Sequence, residues 1–318
     1  MNKKDKIYVA GHNGLVGSAI LRKLINNGYS NIITRNRHDL NLLNENEVNN
    51  FLKKETPDVI FLAAARVGGI GANIENPSSF LIDNITIQNN VIKNAYKNNV
   101  KNLLFIASSS IYPLNSKQPL KEEYLLTGKL ESANEGYALA KIIGLKLCEY
   151  YNKQYGLNYV TIVPPNIYGI NSKFKSENSN VIISLMKKMH EAKLYNYPKV
   201  TVWGSGRQRR EFIYSDDVAD AALYVMKNYC GYFINTGNNI DYSITEIAEI
   251  IKEIVGYKGK LYFDKSKPDG RMKRLLDSEN SRKIGWNPKI SLKYGLELTY
   301  EWFKRQYASF EKPIDLDE

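Results

Sequence analysis

Lys6-Ile7-Tyr8-Val9-Ala10-Gly11-His12-Asn13-Gly14-Leu15-Val16-Gly17 decides how the rest of the chain is read. An apolar run over 6–10 meets three glycines spaced three apart, and a helical pattern over 15–27 closes at Gly28. Glycine at these places permits a tight turn, lets backbone approach a pyrophosphate and allows close helix–strand packing; the helix N-terminus adds the positive end of a dipole. Outward from this unit, strand and helix signals alternate. Residues 31–34, Val59–Leu62, 102–107 and 159–163 read as strands; 44–54, 78–98 and 134–155 read as helices. Apolar strands alternating with helices predict an α/β fold, a doubly wound parallel sheet covered on both faces. After Tyr168-Gly169 the pattern loosens into Asn, Ser and Lys, which suggests a smaller second lobe. Strand-then-helix character returns over 211–226. From Ser243 the chain reads as a helix, a short strand at 260–263, a loop over 264–274 and a terminal helix at 292–307. No internal repeat is found.

Composition narrows the class. Of 318 residues, 43% are hydrophobic and 24% charged, values of an ordinary globular chain that argue against a disordered one. No apolar run is long enough to span a membrane, and only residues 7–10 separate the basic N-terminus from Gly11, too few for a signal-peptide core. Two cysteines, Cys148 and Cys230, make neither a disulfide framework nor a zinc site, which points to a reducing cytoplasm. The net charge of +11 would suit a nucleic acid, yet the cations are spread among acids and the 23 tyrosines do not interleave with them. A small anionic ligand is the better expectation, with no nucleic acid and no membrane as partner.

Two constellations carry chemistry. At the end of the second strand an NAD-preferring fold places an acid for the ribose 2′-hydroxyl; this chain has Arg35 and Arg37, which suit a 2′-phosphate and favour NADP(H). Asp39 keeps NAD as the lesser reading, and two solvated arginines are the plain structural one. Inside the helix at 134–155 stands Tyr137-x-x-x-Lys141, and Ser108-Ser109-Ser110 ends the fourth strand. Residues i and i+4 share a helix face, so an ammonium beside the phenol favours its ionisation, and a serine at a strand's C-terminal end can hydrogen-bond a carbonyl. Tyr-x-x-x-Lys alone is frequent in a tyrosine-rich chain, where core tyrosines are the simpler account; the three features in this order make chance a poor one. No metal-ligand cluster is present.

These motifs, together with Ala10-Gly11-His12, Leu62–Ile70, Ser109-Ser110-Ile111-Tyr112-Pro113, Trp203-Gly204-Ser205-Gly206, Arg210-Glu211-Phe212 and Lys267-Pro268-Asp269-Gly270, resemble the GDP-L-fucose synthase branch of the extended short-chain dehydrogenase/reductase family over nearly the whole chain. The resemblance implies a Rossmann domain binding NADPH/NADP over 1–168, with 211–240 returning to it. It also implies a sugar-nucleotide lobe over 169–210 and 241–318, and a homodimer. It implies Ser108, Tyr137 and Lys141 as catalytic residues. Cofactor contacts would be Gly11, Asn13, Gly14, Leu15, Val16, Gly17, Arg37, Asp39, Leu40, Ala63, Ala64, Ala65, Lys141, Pro164, Asn166 and Ile167. Substrate contacts would be Ser109, Ser110, Asn166, Asn180, Val181, Lys188, Trp203, Arg210 and Asp269. For Lys188, Trp203, Arg210 and Asp269 the simpler readings are a surface Lys, a core Trp, a surface Arg and a turn Asp.

Where the chain departs from the family pattern it is more informative. Members that epimerise C3 and C5 use a cysteine and a histidine as proton shuttles; their places are Ser110 and Asn180 here. A serine hydroxyl without an activating base and an amide do not shuttle protons at neutral pH. With the reducing triad intact, the resemblance implies an NADPH-dependent C4-reductase of a GDP-linked 4-keto sugar, a 6-deoxyhexose or a heptose. It would serve bacterial surface-polysaccharide precursor synthesis and lack 3,5-epimerase activity. A bifunctional 3,5-epimerase-reductase, a nucleotide-sugar 4-epimerase and a non-catalytic NADP-binding protein are the alternatives.

Overall fold

A computed structural model describes residues 1–172, 174, 180–267 and 270–308. The chain begins with β1 (Ile7–Ala10), α1 (Leu15–Asn26), β2 (Ile32–Ile33), α2 (Glu45–Glu55) and β3 (Val59–Leu62). It continues through α3 (Ile70–Glu75), α4 (Pro77–Lys97), β4 (Asn102–Ile106), α5 (Glu135–Tyr155), β5 (Asn158–Val163) and β6 (Asn166–Tyr168). Next come α6 (Val181–Leu194), β7 (Lys199–Trp203), β8 (Arg209–Tyr214), α7 (Ser215–Asn228), β9 (Phe233–Asn235) and β10 (Asp241–Ser243). The last elements are α8 (Ile244–Val255), β11 (Lys260–Asp264), β12 (Lys273–Arg274), α9 (Glu279–Lys283) and α10 (Leu292–Ala308).

Six parallel strands form one sheet in the order β2-β1-β3-β4-β5-β9. Its strands are buried from both sides, which is why they read as continuous apolar runs. Alternation sorts them: Tyr8, Ala10, Ile60, Leu103 and Phe105 face the core under α2, α4 and α5. Ile7, Val9, Phe61, Leu104 and Ile106 face the one under α1 and α7. The chain leaves β1 for β2 on one side and returns to β3 on the other. The switch point therefore lies at the carboxyl ends of β1 and β3, where such sheets bind ligands.

A second core gathers α6, α8 and α10 around Ile182, Met186, Ile247, Ile251 and Phe303. Two small sheets accompany it, one of β6, β8, β10 and β12 and one of β7 with β11. The helix α8 starts at a capping box in which Ser243 and Glu246 bond each other's backbone N–H, and ends at Gly256 with φ +73°. This region is where the sequence reading is corrected. Residues 264–274 are not all loop: Lys273–Arg274 is a strand alongside β8. The strand Lys199–Trp203 is a further addition: buried Val200 and Val202 alternate with the more exposed Lys199, Thr201 and Trp203, a pattern only five residues long. The helix Ile70–Glu75 was also not anticipated.

Candidate active site

The glycine turn is shaped as a phosphate cradle. Gly11 has φ +86°, and a Cβ there would lie 2.7 Å from the Ala64 backbone; at Gly17 it would lie 2.0 Å from the Gly11 carbonyl oxygen. Neither position admits a side chain. Gly14 caps α1 without any side-chain bond, and the first turn carries no acid, so its N–H groups are left for an anion. The Ala63 N–H donates to Ala10 O at 3.0 Å, holding the Ala63–Ala65 stretch beside this turn. Asn13 Nδ2 donates to Asn36 Oδ1 at 2.7 Å, joining the turn to the loop after β2. The two arginines there separate. Arg35 pairs with Glu55 at 2.8 Å and lies 5.3 Å above the Phe51 ring, so its guanidinium is engaged within the protein. Arg37 is exposed and has no hydrogen bond or ion pair among the described residues. Asp39 accepts from the Asn36 N–H at 3.3 Å, and Leu40 is core. These features fit a dinucleotide whose pyrophosphate sits on α1 and whose 2′-phosphate meets Arg37.

The predicted triad is assembled one strand further on. Ser108 follows β4 and begins a 3-10 turn, Ser109–Ile111, that the Ser109 N–H pins to Pro164 O at 3.1 Å. Its Oγ accepts from the Ser110 N–H at 3.3 Å and from the Ser110 hydroxyl at 3.1 Å. The Tyr137 phenol lies close enough to the Ser108 side chain for that hydroxyl to favour its ionisation. One helical turn later, buried Lys141 donates to Ile106 O at 2.8 Å, its Nζ lying 5.8 Å from the Tyr137 ring centroid. Two glycines let α5 come this close: a Cβ at Gly136 would stand 2.8 Å from Pro77 O, and one at Gly144 would stand 2.6 Å from the Phe105 ring. Burial dominates the electrostatics. It pushes the Tyr137 phenol up to about 12 against the lowering effect of the Ser108 side chain, and it pushes Lys141 down to about 7. The sequence reading had the ammonium drawing the phenol down; here Tyr137 is a protonated donor at neutral pH.

Across the cleft end of the sheet, Asn166 Nδ2 donates to Glu211 O at 3.0 Å and Ile167 packs on the core under α7. Asn180 caps α6, its Oδ1 accepting the Ile183 N–H at 3.1 Å while its Nδ2 donates to Ile167 O at 3.1 Å; Val181 opens that helix. Trp203 is 63% exposed, so it is not a core tryptophan. The Lys188 and Lys267 ammonium groups lie 5.8 and 5.4 Å from its ring centroid, and Lys188 also donates to Thr201 O. Arg210 lies on β8 and donates to Arg209 O at 2.9 Å. Asp269 lies outside the described residues. Among the described residues no cluster of His, Cys, Asp and Glu could hold a metal, and no helix is long and apolar enough to cross a membrane.

The model of the NAD dependent epimerase/dehydratase family matches residues 7–237. The chain belongs to that family. It is 46% identical to GDP-L-fucose synthase of Escherichia coli (strain K12), a match covering 96% of this chain and 99% of that protein. Two solved structures resemble this epimerase/dehydratase family member throughout. One is a GDP-6-OMe-4-keto-L-xylo-heptose reductase from C. jejuni, with TM-score 0.92 and 40% identity over 96% of this chain and 99% of that one. The other is a GDP-mannoheptose C4 reductase from Campylobacter jejuni with NADP bound, with TM-score 0.88 and 41% identity over 96% and 99%.

Sequence reading quoted Glu211 in a motif but gave it no role. In this family member it is wholly buried, and its carboxylate accepts N–H groups from Asn238 (2.6 Å), Asn239 (2.8 Å) and Leu276 (2.8 Å). Asn235 was missed altogether. It accepts from the Tyr112 hydroxyl at 2.6 Å and donates to Leu120 O and Asp277 O, so it braces the serine turn from behind. The glycine spacing that revealed the cradle has no counterpart here, because the partners stand between 27 and 123 positions apart.

Proposed function

We propose that this epimerase/dehydratase family member is an NADPH-dependent C4-reductase of a GDP-linked 4-keto sugar, a 6-deoxyhexose or a heptose, and that it does not epimerise C3 or C5. The chain is an NADP(H)-dependent oxidoreductase, and bound NADPH supplies the hydride for the carbonyl carbon. Tyr137, protonated and beside Ser108, passes its proton to the oxygen as charge develops there. Ser108 holds that oxygen in line. Lys141, on the same helix face, offsets the phenolate left behind when it carries its proton. Trp203, exposed and flanked by two ammonium groups, suits the nucleoside base.

One observation carries the reduction-only reading: both places of the epimerising pair are held by groups with other bonds and no titration near neutrality. The Ser110 hydroxyl is engaged with Ser108, and Asn180 is spent on capping α6. Reductases acting on GDP-heptoses stand among the structural relatives, which supports a GDP-linked 4-keto sugar as the substrate class. The second reading, a bifunctional fucose synthase, is favoured by the identity with the Escherichia coli protein.

Incubation in D₂O with NADPH and a GDP-4-keto-6-deoxy sugar separates the two. NADPH oxidation without enzyme-dependent deuterium at C3 and C5 is expected. Deuterium at both carbons would restore the bifunctional synthase.

A further inference from the structure

Ser110 stands where epimerising members keep a proton shuttle, and its surroundings fit it for a different task. It is 3% exposed, while Ser108, two residues earlier at the strand end, is only half-buried. Ser110 reaches the Ser108 Oγ twice: its N–H donates at 3.3 Å and its hydroxyl at 3.1 Å. A serine oxygen accepts two hydrogen bonds and donates one. With both acceptor positions filled from the buried side, Ser108 is left to donate, and the side open to it is the cleft. The Tyr137 phenol registers the same direction: Ser108 favours its ionisation, as a donor does and an acceptor does not.

The turn that sets this geometry is held along its length. The Ser109 N–H donates to Pro164 O at 3.1 Å, the Ile111 N–H returns to Ser108 O at 3.2 Å, and the Tyr112 hydroxyl just beyond is fixed by Asn235 at 2.6 Å. A hydroxyl proton otherwise rotates to suit its neighbours, and a Ser108 proton turned towards Ser110 would leave the reacting oxygen facing a lone pair. We infer that Ser110 is a positioning residue: by donating to Ser108 it keeps the Ser108 proton aimed into the cleft, ready for the oxygen of the carbonyl that is reduced. This rests on the reductase reading above. It also gives a reason for serine at this place. A cysteine there would exchange a good donor for a weak one and gain a titrating group, which serves proton shuttling at the expense of Ser108.

The test is steady-state NADPH oxidation with a GDP-4-keto-6-deoxy sugar, run as a cycle of Ser108 and Ser110 variants of the full-length protein. Ser110→Ala is expected to lower kcat about tenfold and to change KM for the sugar nucleotide and for NADPH by less than about twofold. In a Ser108→Ala background, followed as residual turnover, the same substitution is expected to change kcat by less than about twofold, since no hydroxyl remains to be aimed. Ser110→Cys, close in size with a weaker donor, is expected to fall between serine and alanine, and it carries the comparison should the alanine variant not fold. An equal fall in both backgrounds would make Ser110 merely structural, and a raised KM at unchanged kcat would make it a substrate contact. Either result overturns the assignment, as does an unchanged kcat. A parent protein that binds NADPH but does not oxidise it with this substrate would instead sink the reductase reading itself.

Discussion

Arg35 and Arg37 are two positions apart, yet one guanidinium is consumed by Glu55 and Phe51 while the other faces solvent at the rim of the cofactor cradle. Arg37→Ser is therefore expected to raise KM for NADPH roughly 10- to 100-fold and leave KM for NADH nearly unchanged. Arg35→Ala should leave that ratio alone, and steady-state kinetics with both cofactors checks the pair. Tyr137→Phe removes the proton donor and keeps the ring; kcat should fall about 10²- to 10⁴-fold with NADP⁺ affinity retained. Lys141 makes a statement about stability. Its value is about 7 in the fold against 10.5 ordinarily, so between those values the unfolded chain holds a proton that the folded one has released. Stability from this group thus rises with pH across the window, and the penalty is whole below pH 7. Lys141→Met should be more stable than the parent at pH 6 by on the order of 2–4 kcal/mol, an advantage fading towards pH 10.5. Urea unfolding at both ends of the window would show it, and a pH-independent difference would contradict it.

At the scale of elements, the entry into α1 sets the cofactor site. A Cβ on Gly17 would overlap the Gly11 carbonyl at 2.0 Å, whereas one on Gly14 would sit 3.3 Å away, a contact that a small shift relieves. Gly17→Ala should abolish measurable NADPH binding and lower stability by about 1–3 kcal/mol, while Gly14→Ala folds like the parent; fluorescence titration with NADPH and thermal unfolding distinguish them. The helix α5 shows the complementary case. Its i, i+4 spacing presents Tyr137 and Lys141 together wherever the helix lies, so that pair was legible in the sequence. Its depth against Phe105, which sets how far burial moves both groups, depends on Gly144 meeting a strand about forty residues earlier in the chain.

On the whole molecule, Leu139, Ile143 and Tyr150 form an exposed stripe along α5, and Ile82 is 61% exposed on the neighbouring α4. A second copy of the chain is the expected cover. Light scattering should give a dimer, and Leu139→Lys with Ile143→Lys should give a monomer; a monomeric parent would contradict this. The parallel α/β sheet, the glycine cradle and the order Ser108, Tyr137, Lys141 follow from the sequence itself, because each is written in near-neighbour spacing: periods of two and 3.6, three glycines in a turn, a serine at a strand end. The small sheets behind them are not so written, since a two-residue strand such as Lys273–Arg274 has no period to read. Nor could spacing disclose that Arg35 is engaged by Glu55, that Tyr112 meets Asn235 across 123 positions, or that Glu211 is buried among three backbone N–H groups. Those were decided by tertiary structure alone, because hydrogen bonding and desolvation depend on which distant groups the packed layers bring within 3 Å of one another.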